Sequence, residues 1–195
     1  ASRGLYHRAI LQSGAASHAR SKAGATIVAR RFCEIAGVEP GDARALISLT
    51  TEQIRDAATQ MVFVEALAIA DLLEDEDPLG GNMVFTPVVD GSFLDQSPLD
   101  AIAGGAASGI DIICGVNADE WRLVIFGMGP EVARQLPPPN LDRLSAGTGM
   151  PGDQLMERYH GIIESDDDID IHCEILSDLI FTVPAQRLGD AQSAH

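Results

Sequence analysis

The sequence predicts an α/β fold, with a mostly parallel sheet and more helix than strand. Three observations carry that expectation. Ile110-Asp111-Ile112-Ile113-Cys114 is a short isoleucine-rich run, the pattern of a buried strand inside a parallel sheet. Arg8-Ala9-Ile10-Leu11-Gln12-Ser13-Gly14 reads as another strand, closed by a turn glycine. Elsewhere apolar residues recur at helical spacing, and the strands are too few for a complete large sheet.

From Ser21 to Ala36 the apolar positions Ala23, Ile27, Val28, Phe32 and Ile35 make one helical face. Gly37 follows as a C-cap with Pro40 beyond it. Asp42 can cap a short helix through Leu49. Thr50 and Gln53 have capping-box spacing before a run expected to stay helical from Ile54 to Leu73. The acidic cluster Glu74 to Asp77, with Pro78 and Gly80-Gly81, reads as a solvated loop. Val84 to Val89 reads as extended, and Asp90-Gly91 as a turn.

Ser97-Pro98 offers an N-cap followed by proline at the first helical position. Pro137 to Pro139 predicts a rigid loop, and the stretch around Gly147 fits no single element. Leu155, Met156, Tyr159, Ile162 and Ile163 form another helix face. Asp166 to Asp168 lie where carboxylates favour a helix start, ahead of a final helix carrying Ile171, Ile175 and Leu179.

The 195 residues carry a net charge of −16. A nucleic-acid partner, which calls for clustered lysine and arginine, is not expected. Cys33, Cys114 and Cys173 are odd in number and widely spaced, so they read as small core residues. No apolar stretch is long enough to span a membrane.

Gly115-Val116-Asn117-Ala118-Asp119-Glu120 places an acidic pair where the Ile110 strand ends. Catalytic groups of α/β sheets gather at the carboxyl ends of strands. A carboxylate there can orient a histidine and stabilise its cation.

Two segments, supported by a third, resemble the type-B carboxylesterases, the cholinesterase-like branch of the α/β-hydrolases. The first is Gly4-Leu5-Tyr6-His7-Arg8-Ala9-Ile10-Leu11-Gln12-Ser13-Gly14. The second runs from Phe85-Thr86-Pro87-Val88-Val89-Asp90-Gly91 through Ser97-Pro98-Leu99 to Gly115 and Trp121. Ser177-Asp178-Leu179-Ile180-Phe181 with Pro184-Ala185 is similar to the family's late helix. The Ala-, Arg- and Asp-heavy composition suits a bacterial member.

The resemblance implies a partial α/β-hydrolase fold, with residues 1–195 as a single incomplete domain. It implies carboxylic-ester hydrolysis of a small-molecule ester, through an acyl-enzyme and without a cofactor or metal. Glu120 matches the triad carboxylate, and Ser13 matches a serine just behind it whose hydroxyl could help hold that acid. Asp119 is the second choice, because only one of two neighbours in an extended chain points into a site. No Gly-x-Ser-x-Gly occurs in the sequence. In this fold the order is serine, acid, histidine. The nucleophile is therefore expected before Ala1 and the base after His195, and these residues by themselves are expected to be inactive.

Simpler readings stand beside these. A carboxylate after a strand is ordinarily a solvated turn residue, and Asn117 can serve the turn through its amide. Ser13 lacks the glycine-flanked elbow of an attacking serine. His7 and His18 read as surface or helix-entry residues, and His160 and His172 as ordinary helix residues. Asp166 to Asp170 lacks the glycine and later glutamate of a calcium loop. Trp121 and Arg122 either shape the pocket wall or pack beneath it. The competing function is a non-catalytic, cholinesterase-like binding domain. A sheet of so few strands leaves an open edge and an apolar face, so self-association of the chain is also expected.

Overall fold

The computed structural model describes residues 4–73, 83–135, 140–145 and 149–195. In chain order the first elements are β1 (Arg8–Gln12), β2 (Arg20–Ser21), α1 (Lys22–Ala36), α2 (Ala43–Ser48), α3 (Thr51–Phe63), α4 (Ala66–Leu73) and β3 (Val88–Val89). There follow α5 (Pro98–Ala103), β4 (Asp111–Gly115), α6 (Arg122–Met128), α7 (Pro130–Ala133) and α8 (Leu141–Ser145). The chain closes with α9 (Gly152–His160), α10 (Asp168–Ser177), a π-helical turn (Asp178–Thr182) and α11 (Val183–Ser193). Two compact units result, one from Ala19–Asp95 and one from Ala1–His18 with Gln96–His195.

In the Ala19–Asp95 unit the helix ends follow their capping residues. The Ser21 hydroxyl accepts from Gly24 N at 3.0 Å to start α1, and Gly37 ends it in the left-handed conformation, φ 68°. Thr50 and Gln53 complete a reciprocal capping box at α3. The run expected to continue to Leu73 breaks at Val64 and Glu65. Both residues send their N–H to the Gln60 carbonyl. Glu65 is held by Gln60 Nε2 at 2.8 Å and Arg31 Nε at 2.5 Å, so side-chain pairing ends one helix and positions the next.

Val28, Met61, Ile69, Leu73 and Val84 form the core of this unit. Of the extended segment Val84 to Val89, only Val88 and Val89 pair in a sheet, parallel to Arg20 and Ser21. The acidic loop from Glu74, the prolines at 137–139 and Gly147 lie outside the described residues.

In the other unit β1 and β4 pair in parallel, from Arg8↔Asp111 to Gln12↔Gly115. Side chains alternate across such a pair. Ala9, Leu11, Ile112 and Cys114 face inward, and the Cys114 thiol lies 3.9 Å from the Ala185 carbonyl of α11. Ile10 and Ile113, register partners on the opposite face, are each 68% exposed. The Ile110–Cys114 run was expected to be a buried strand. Its parallel pairing holds, but among the described residues only one face of the sheet is covered.

Leu141, Leu155, Ile171 and Ile175 form this unit's helical core. Asp167 caps α10 by accepting from Ile169 N at 3.0 Å, so the charged run is a helix start. Further along, Pro184 has no N–H to offer the Ile180 carbonyl four residues back, and the helix relaxes into a π turn. His18 Nε2 donates to that carbonyl at 2.5 Å, and its ring meets Phe181 edge-on at 5.9 Å. His18, expected at the surface or at a helix entry, is therefore buried. The unserved carbonyl and the aromatic neighbour give it a place inside.

Candidate functional site

Ser13 and Glu120 meet at the shared carboxyl edge of β1 and β4. Parallel pairing places both strand exits on the same side. Immediately after β1 the chain turns through two left-handed residues, Ser13 at φ 62° and Gly14 at φ 56°. Ser13 is the one non-glycine residue with positive φ among the described residues. That conformation costs a serine on the order of 1 kcal/mol. Here its N–H donates to the Gly115 carbonyl at 2.9 Å, and its hydroxyl donates to Glu120 Oε1. Gly14 is required because a Cβ there would lie 2.9 Å from His18 Nδ1.

Glu120 Oε1 accepts two further bonds, from Asn117 N at 2.7 Å and Asn117 Nδ2 at 3.1 Å. Three donors thus converge on one oxygen, and no described residue donates to Oε2. Burial of the carboxyl pushes its pKa up, but the bonds from Ser13 and from the Asn117 backbone and amide outweigh burial. The pKa lies below the usual glutamate value. The result is an ionised acceptor fixed through one oxygen, with no described donor on the other.

Asp119 takes a different course. It is 64% exposed and accepts from Arg122 Nε at 2.8 Å. The same guanidinium donates from Nη1 to Asp170, and Nη2 lies 3.9 Å from Glu174. The Trp121 N–H is received by the buried Ser177 hydroxyl at 3.0 Å. Arg122 and the Trp121 backbone therefore pack beneath the turn, against α10.

His160 and His195 are engaged elsewhere. His160 Nε2 is 3.5 Å from Asp168, and His195 Nε2 donates to the Ala103 carbonyl at 2.8 Å. Burial depresses the half-buried His172 imidazole below its usual pKa. Among the described residues no group of three His, Cys, Asp or Glu side chains is disposed to hold a metal, and no helix is long and apolar enough to cross a membrane.

Sequence reasoning brought Glu120 and Ser13 together but missed the hold of Asn117 on the carboxylate. It also missed the α10 contacts. Asp170, Glu174 and Ser177 are spaced at i, i+4 and i+7 on one helix face, a pattern visible in the sequence once its partner turn is known.

The Carboxylesterase family pattern matches residues 1–192. The chain is 31% identical to the para-nitrobenzyl esterase of Bacillus subtilis (strain 168) over 195 residues, all of this chain and 36% of that protein. It is 28% identical to the pyrethroid hydrolase Ces2e of Rattus norvegicus, again over its full length and 33% of that protein. The chain thus spans about a third of the length of these curated relatives. The crystal structure of the Geobacillus stearothermophilus carboxylesterase EST55 at pH 6.2 superposes with a TM-score of 0.72 at 30% identity. That match covers 98% of this chain and 36% of the other.

Proposed function

Because this chain belongs to the carboxylesterase family, with part of the α/β-hydrolase fold, we propose that it supplies the acidic member of a serine-esterase triad, Glu120. The single observation that carries the proposal is the convergence of Ser13 and Asn117 on Glu120 Oε1, which leaves Oε2 to accept the Nδ1–H of an imidazole. No Gly-x-Ser-x-Gly lies in these 195 residues, so on this reading the nucleophilic serine and the imidazole are supplied from outside them. All 195 residues belong, on this reading, to one incomplete catalytic domain.

The chemistry follows from the roles. The histidine Nε2 takes the serine hydroxyl proton as the oxygen attacks the ester carbonyl. The imidazolium then forms against the Glu120 carboxylate and protonates the departing alcohol, leaving an acyl-serine. Water repeats the sequence and releases the carboxylic acid. Glu120 fixes the tautomer and stabilises the cation without being protonated itself. The substrate class is a small-molecule carboxylic ester, as the names of the bacterial relatives suggest, and the mechanism needs no cofactor. The competing reading, a non-catalytic binding domain, has no use for an ionised carboxylate with one oxygen kept open.

In the full-length protein Glu120→Gln should lower kcat for p-nitrophenyl acetate by about 10⁴-fold, the scale of removing the acid from a comparable triad. Retention of kcat within a few-fold would overturn the assignment. The isolated chain, for its part, self-associates with a second copy through the Ile10 and Ile113 face and the strand edges beside it. Sedimentation should show concentration-dependent dimers that Ile113→Lys abolishes. A clean monomer at high concentration counts against the pairing.

A further inference from the structure

The triad reading places one demand on the turn that carries Glu120: Oε2 must keep its direction while an imidazole gains and loses charge against it. Ser13 and Asn117 hold only the far oxygen. The backbone on either side of Glu120 needs its own restraint, and α10 supplies it.

We propose that Ser177 and Arg122 are positioning residues for Glu120, tying the turn on both flanks of the carboxylate to one face of α10. The inference rests on Glu120 being the triad acid. On the following side, Trp121 sits at the start of α6, which has no side-chain cap of its own. Its N–H would be an orphan donor, and the Ser177 hydroxyl, 4% exposed, accepts it at 3.0 Å. On the preceding side, Arg122 Nε holds Asp119 at 2.8 Å while Nη1 donates to Asp170. One guanidinium therefore clamps residue 119 and residue 122 to the same helix, with Glu120 between them.

The spacing of Asp170, Glu174 and Ser177 sets all three along a single stripe of α10. The helix also reaches the other half of the pair. α10 continues into the π turn, whose Ile180 carbonyl receives His18, and the His18 ring packs on Gly14 beside Ser13. The turns that carry Ser13 and Glu120 thus reach the same helical run through separate neighbouring contacts.

The test is kinetic, in the full-length enzyme with p-nitrophenyl acetate. Ser177→Ala and, separately, Arg122→Met are each made in the native and in the Glu120→Gln background. A misplacement of about 1 Å costs on the order of 10²-fold in rate. In the native background kcat should fall by about 10- to 100-fold with KM nearly unchanged. In the Glu120→Gln background the same changes should cost less than about 2-fold, because they act through a group already removed. Equal losses in both backgrounds, or native kcat in Ser177→Ala, overturn the positioning role and leave the triad reading intact. Native kcat in Glu120→Gln alone overturns the triad reading and the positioning role with it. Should Arg122→Met not fold, Ser177→Ala, which removes one oxygen, decides the matter alone.

Discussion

The Ser13 hydroxyl donates to Glu120 Oε1 across 107 residues of sequence, joining the exits of two neighbouring parallel strands. Ser13 adopts its left-handed backbone in order to make this bond and the one from its N–H to Gly115. Removing the hydroxyl should therefore be read first at the carboxylate. In Ser13→Ala burial is opposed by fewer donors, so the Glu120 pKa rises from its lowered position. A depressed carboxyl stabilises the fold above its unfolded pKa and loses that contribution as pH falls through the folded value. Ser13→Ala should therefore cost about 1 kcal/mol at neutral pH and progressively less in acid. In the full-length protein the acid limb of the rate profile should move to higher pH. Urea unfolding at several pH values checks the first expectation; a cost that does not vary with pH refutes it.

Gly14 and Gly37 separate two reasons for needing glycine. Both have positive φ, 56° and 68°. A Cβ at Gly37 meets nothing within 4 Å, whereas at Gly14 it would lie 2.9 Å from His18 Nδ1. Gly37→Ala should cost about 1 kcal/mol for the left-handed backbone alone. Gly14→Ala should cost more, by roughly another 1–3 kcal/mol for overpacking. In the Gly14→Ala background His18→Ala should recover part of that excess. Chemical denaturation of the three variants settles it, and equal costs at the two glycines would remove the steric contribution.

Local chemistry was readable from the sequence wherever a short pattern decides the outcome. The caps at Ser97, Asp42 and Thr50, the left-handed Gly37 and the strand runs at Arg8 and Asp111 all depend on residues within a turn of one another. Glu120 and Ser13 were legible through the family resemblance, and their bond gives that pairing a geometry. What escaped was long-range. The burial of His18 depends on a carbonyl that Pro184 leaves unserved more than 160 residues away, at Ile180. The break at Glu65 depends on Arg31, 34 residues earlier. The exposure of Ile113 depends on what lies across a sheet face, which an apolar run does not disclose.

Asp90 offers a titration that local geometry fully determines. Its carboxylate accepts from Ser92 N at 2.9 Å, Phe93 N at 2.8 Å and Leu94 N at 3.1 Å, and from the Ser92 hydroxyl at 3.1 Å. The backbone bonds from Ser92, Leu94 and Phe93 lower its pKa from an ordinary 3.8 to about 2. Because the folded value lies below the unfolded one, the turn is held fully above the ordinary pKa and released as pH falls toward about 2. Carboxyl-carbon NMR should place the Asp90 midpoint near about 2, and exchange protection of the Phe93 and Leu94 amides should fade over the same interval. In Asp90→Asn that acid dependence should vanish, since the amide oxygen accepts without titrating. A midpoint at the ordinary 3.8 would show that the three backbone donors do not favour the ionised form.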